Sequence, residues 1–223
     1  MRLIAKELVP ATSNEPVGDP QANRLYMWEE VDLHLLHKLL PASAMRKLNV
    51  DEANQFLAQL AERWNRTVFC VYDDDPAIWS EKPETSLFMY QPGSEQIVFR
   101  DPLVCEVQLI REYTHAWLAE AFLFFSGADP KDASSRANCI NLLEPHGPIF
   151  LEAYILLLTE RYEVPEASLK QSAGLWNLVI ADCGIEELRK EMLETDVKVF
   201  SDSAVQILEK TVRIEHAAYA GGN

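Results

Sequence analysis

Leu109-Ile110-Arg111-Glu112-Tyr113-Thr114-His115-Ala116-Trp117 is the stretch on which the reading of this chain turns. Its residues favour a helix, and on a helix residues four apart lie one above the other on the same face. Arg111 and His115 would then share a face, with Glu112 beside the first of them. Upstream, Asp101 and Pro102 have the form of a helix cap and a first helical residue. Downstream, Gly127 has the form of a terminator. Together they predict one helix from about 101 to about 125.

Outward from that helix the pattern changes. Ser86 to Tyr90 and Gln96 to Phe99 read as the two strands of a hairpin around the turn Gln91-Pro92-Gly93-Ser94-Glu95. Thr67 to Tyr72 is β-branched and aromatic, which predicts a buried strand, and Asp73-Asp74-Asp75-Pro76 stops it. A helix is expected from Val50 to Asn65, capped by Asn49 with Glu52 reciprocating, and with Ala53, Phe56, Leu57, Leu60, Ala61 and Trp64 as its buried stripe. An earlier one is expected over Leu25 to Leu40, ended by Pro41. Another should begin after His146-Gly147-Pro148 and run to about Tyr162, with two or three more between Pro165 and Ala220. Pro10 to Asn23 reads as an extended arm or loop, and Gly127 to Arg136 as polar and flexible.

That order predicts an α+β fold: a small antiparallel or mixed sheet, one long central helix and a helical C-terminal part. Residues 1–23 are expected as an arm and 24–223 as a single domain, with a core over 67–173 and a helical extension over 174–223.

The chain has 223 residues, 48% hydrophobic and 25% charged, which excludes disorder over its whole length. Lys and Arg number 20 against 35 Asp and Glu, a formal net charge of −15. Such acidity argues against broad nucleic-acid binding and against an anionic membrane surface as partner. The start, Met1-Arg2-Leu3-Ile4-Ala5-Lys6-Glu7, does not read as a signal peptide, and no run has the length of a membrane span. The expected location is cytoplasmic. Cys70, Cys105, Cys139 and Cys183 lie far apart without a Cys-x-x-Cys pair, so reduced and mostly buried thiols are expected.

One change, Arg111 to His, would turn the opening stretch into His-Glu-x-x-His. In that motif two imidazoles one helical turn apart share a Zn²⁺, and the Glu polarises the metal-bound water. A third ligand from elsewhere leaves one position open for that water. His146-Gly147-Pro148-Ile149-Phe150 offers a candidate third ligand. By these two motifs, in this order, the chain resembles the zincin superfamily, and within it the SprT-like and HGPxF-type metallohydrolases. There a strand and hairpin lead into the helix, and a downstream His-Gly-Pro supplies the third ligand. The matching stretches run from about Val68 to about Ala173 and include Leu169-x-x-Ser172-Ala173.

The resemblance implies a zincin-like fold with His115 as second metal ligand, His146 as third and Glu112 as general base. Arg111 stands in the first-ligand position and breaks the pattern, because a guanidinium stays protonated and has no lone pair to give. The expectation is therefore a degenerate metal site that holds no cofactor, or zinc only weakly, on a non-catalytic binding or regulatory module with a protein or peptide partner. Two other readings stand beside it. Glu144, or Cys139, can replace the missing ligand and leave an active zinc metallopeptidase or hydrolase. Alternatively, Asp73-Asp74-Asp75 with Glu81 and Glu84 can form the face of an acidic interaction protein or nucleic-acid mimic.

Each motif also has a local reading. Arg111, Glu112 and His115 can be charges on the wet edge of an amphipathic helix, and His146 can be a helix N-cap. His34, His37 and His216 read as surface or packing histidines. The three aspartates can be a solvated strand exit. Trp28, Trp64, Trp117 and Trp176 fall on apolar helical faces and read as core anchors.

Overall fold

Asn49 begins the first long helix as expected. Its side-chain oxygen accepts the backbone N–H groups of Asp51 and Glu52, and Glu52 returns a carboxylate to the Asn49 N–H at 3.0 Å. This reciprocal cap occupies donors that a helix N-terminus otherwise leaves unpaired. The computed structural model in which it is seen describes residues 21, 24–25, 27–28, 39–76, 88–91, 96–126, 146–182 and 184–194. Those residues gather into two compact units, one drawn from 43–140 and 189–198, the other from 1–42 and 141–188.

The first unit carries the sheet. A 3-10 turn at Ala42–Met45 leads into β1 (Lys47–Leu48) and α1 (Val50–Trp64). Then come β2 (Phe69–Tyr72), β3 (Phe88–Gln91), β4 (Gln96–Phe99), β5 (Val104–Cys105) and α2 (Glu106–Ser126). Along α1 the stripe Ala53, Phe56, Leu57, Leu60 and Trp64 is buried, while Ala61 is half-buried. Asn65 closes the helix in the left-handed conformation at φ 49°, which asparagine tolerates better than most side chains.

The hairpin forms in the register Phe88↔Phe99 to Gln91↔Gln96, and its connection over 92–95 lies outside the described residues. β2 joins β4 in parallel, giving the strand order β2-β4-β3, so the sheet is mixed. The α+β class follows directly. β2 is nevertheless not the buried strand its composition predicts. Among the described residues it is an edge strand, with Phe69 60% and Tyr72 43% exposed and only Cys70 fully buried. Its second edge is met by a side chain from α1. Asn54 Oδ1 accepts the Cys70 N–H at 2.9 Å, and Asn54 Nδ2 donates to the Cys70 carbonyl at 3.0 Å.

The central helix also starts later than the sequence suggests. Asp101 Oδ1 accepts the Leu103 N–H at 2.9 Å, so the Asp-Pro pair makes a turn and not a helix start. Val104 and Cys105 then pair antiparallel with Leu48 and Lys47 as a two-stranded sheet. Only after that does α2 begin, where Gln108 accepts the Cys105 N–H at 3.1 Å. Gly127 and the stretch to Arg136 lie outside the described residues.

The second unit is helical among the described residues: α3 (Pro148–Tyr162), α4 (Glu166–Leu175) and the start of α5 (Ile185–Glu194). α3 is apolar nearly all round, with Ile149, Phe150, Leu151, Ala153, Tyr154, Ile155, Leu157 and Leu158 buried, which suits an interior helix. Arg24, Leu25, Met27 and Trp28 are helical, and Leu25 and Trp28 are fully buried. Trp28 Nε1 donates to Ser172 Oγ at 3.1 Å, and its ring meets Tyr154 edge to face at 6.2 Å. Glu152 caps the start of α5, accepting the N–H groups of Gly184 and Ile185. Leu39 is helical and Leu40 buried, while residues 29–38 of the expected first helix and the rest of the C-terminal helices lie outside the described residues. No helix among the described residues is long and apolar enough to cross a membrane.

Candidate functional site

α2 presents the three residues that the motif singles out. Two of its buried hydroxyls are settled, one within the helix and one by a neighbouring loop. Thr114 Oγ1 donates to the Ile110 carbonyl at 2.8 Å, so a hydroxyl can be buried inside the helix without an unpaired group. Tyr113 OH donates to the Arg66 carbonyl at 2.8 Å and ties α2 to the loop that follows α1. Burial pushes the Tyr113 phenol well above its ordinary value, against a smaller opposing effect of the Arg66 charge. The Arg66 guanidinium lies 3.4 Å from Glu120. One turn beyond Tyr113, Trp117 meets Trp64 edge to face at 5.0 Å, and the Arg189 guanidinium lies 4.8 Å over the Trp64 ring.

Arg111 and Glu112 are not on a wet edge. Both are buried, with side-chain exposures of 8% each, and Arg111 Nε donates to Glu112 Oε1 at 3.2 Å. Buried charges are tolerated when paired and hydrogen-bonded, and this pair meets both conditions. His115 stands one turn on from Arg111, half-buried. α2 thus places Arg111 and His115 on one face, as the spacing predicts.

These residues do not fit a zinc ion. Arg111, which the resemblance sets at the first-ligand position, carries a guanidinium with no lone pair, and the carboxylate of Glu112, expected as general base, is bound to that guanidinium. Among the described residues no group of three or more His, Cys, Asp or Glu is arranged to hold a metal. Glu144 and Cys139, the candidate substitute ligands, lie outside the described residues, as do His34, His37, His216, Glu81 and Glu84.

His146 belongs to the second unit, whereas Arg111, Glu112 and His115 belong to the first. It is not the N-cap of α3. Gly147 holds that position, without a side-chain hydrogen bond, and Pro148 is the first helical residue. A missing N–H costs nothing there, which is why the helix starts where it does. The His146 ring is buried and packs edge to face on Phe150 at 5.1 Å, and its carbonyl accepts from Gln21 Nε2 at 3.1 Å. In the Leu169-x-x-Ser172-Ala173 signature, Leu169 and Ala173 are buried in the core and Ser172 is the acceptor for Trp28.

Asp73-Asp74-Asp75 forms a turn with internal partners. Asp73 Oδ1 accepts the Asp75 N–H at 2.9 Å, and Tyr72 OH donates to Asp74 at 3.1 Å. All four tryptophans named as anchors are buried. Cys70 and Cys105 are free thiols, one buried and one half-buried, while Cys139 and Cys183 lie outside the described residues. Gln21 escaped the sequence reading because a polar residue in a polar arm carries no periodic signal. Comparison with protein-family models, with curated proteins and with solved structures returned no match.

Proposed function

We propose that this chain is a zincin-like scaffold whose metal station has decayed, and that it acts as a non-catalytic binding or regulatory module for a protein or peptide partner. One observation carries the reading: the buried Arg111–Glu112 pair at 3.2 Å. A metallopeptidase of this kind needs its glutamate available to take a proton from metal-bound water. Here that carboxylate is committed to a fixed cation on its own helix. The guanidinium supplies positive charge in a buried place, as a dication would, without a vacant coordination position to do chemistry. The approach to α2 supports the same reading, because a strand (β2) and a hairpin (β3–β4) precede it, as in the families the sequence resembles.

The test compares the wild-type chain with Arg111→His and Arg111→Ala, all purified without chelator and titrated with zinc while melting and stoichiometry are followed. Zinc that binds only the folded state raises stability with its concentration. The expected result is about one zinc per chain for Arg111→His, whose helix then carries two imidazoles one turn apart, and none for the other two. Equal behaviour of the His and Ala variants would sink the zincin reading. Stoichiometric zinc in the wild type, with chelator-sensitive proteolysis lost on Glu112→Ala, would replace it with an active metallopeptidase.

A further inference from the structure

Gln21 is fully buried, and its carboxamide is used on both sides. Oε1 accepts the Val179 N–H, and Nε2 donates to the Val179 carbonyl at 3.2 Å and to the His146 carbonyl at 3.1 Å. Toward Val179 the side chain behaves as a neighbouring peptide group would, accepting and donating at once. That leaves the second amide hydrogen for His146. The arrangement permits one orientation of the amide, since the reverse would set N–H against N–H and oxygen against oxygen.

Gly147 caps α3 without a side-chain hydrogen bond, and a glycine restricts its own backbone least of all residues. Beyond the cap, the Ala181 N–H donates to the Pro148 carbonyl at 2.9 Å, so the loop that Gln21 holds at Val179 is itself bonded to the residue after Gly147. Gln21 in turn is anchored by its own backbone, whose carbonyl accepts the Leu25 N–H at 2.8 Å. One buried side chain, 125 positions from His146, therefore grips the turn directly and through the 179–181 loop.

From this geometry we infer that Gln21 is the positioning residue of His146: its carboxamide fixes the His146 carbonyl and the Val179 peptide, and so sets where the imidazole stands.

The experiment uses the full, isotope-labelled chain. Gln21→Glu keeps the shape and the acceptor but loses both donors. Gln21→Met keeps the approximate shape and loses everything polar. Ser172→Ala, which removes the acceptor of the Trp28 hydrogen bond in the same unit, sets the scale of a purely structural loss. Both Gln21 variants should shift the His146 carbonyl carbon and ring signals, whereas the Val179 amide should move more in the Met than in the Glu variant. His146 signals that stay in place, or that move as much in Ser172→Ala, overturn the inference.

Discussion

Replacing Arg111 by Met leaves the Glu112 carboxylate buried without its guanidinium. At 3.2 Å the attraction between the two charges is about 5 kcal/mol for an effective dielectric near 20. Removing one member of a buried pair costs about 3–5 kcal/mol, because the survivor keeps its desolvation penalty. The side chains are only 8% exposed, so water does little to relieve that penalty. The double variant Arg111→Met, Glu112→Leu removes the penalty along with the attraction, and apolar replacement of a buried pair is often neutral or stabilising. Urea titration of the wild type, both single variants and the double variant, followed by far-UV circular dichroism, completes the cycle. Arg111→Met should lose about 3–5 kcal/mol, and the double variant should recover most of it. A single-variant loss below about 1 kcal/mol, as for an exposed pair, would refute the buried-pair argument. So would a double variant no more stable than the single.

Asn49→Ala removes the acceptor for two backbone donors and breaks the reciprocal contact with Glu52; the expected loss is about 1 kcal/mol, read as a lowered urea midpoint. Burial pushes the Cys70 thiol up from 9.0 to about 12, so peptide mapping after alkylation at pH 8 should find Cys70 unlabelled in the native chain while half-buried Cys105 is modified. The sign of the accompanying pH effect follows. Cys70 and Tyr113 both hold their protons more tightly when folded, so their contribution is complete below the unfolded values of 9.0 and 10.0 and is lost as pH rises past them. Stability that rises between pH 9 and 11 would contradict this.

What could be read in advance was local. The Asn49–Glu52 cap, the apolar stripe of α1 and the existence of the hairpin each depend on residues within a few positions of one another, although Gln91, expected in the turn, is the last residue of β3. The Asp101-Pro102 pair misled because the features that displace it are partly distant. β5 exists by pairing with Lys47–Leu48, and the cap that starts α2 is the less familiar Cys105–Gln108 contact. Aromatic and β-branched composition marked β2 as a strand but could not distinguish a central position from an edge, which depends on strand order. At the candidate site, helical spacing fixed the shared face of Arg111 and His115. The local reading of a wet helix edge failed, because Arg111 and Glu112 pair with each other in the interior.

The bond between Asn54 and Cys70 bears on how this protein behaves in a crowded solution. An open strand margin is a template on which a second molecule can extend the sheet. At Cys70 that template is already occupied by a carboxamide of the same chain, held on the first turns of α1. Protection of the margin therefore lasts only as long as those turns stay wound. Asn49, which starts the helix five positions before Asn54, governs through its cap how often the margin comes unguarded. A weakened helix start would be felt first as self-association that grows with protein concentration, before any loss of the core.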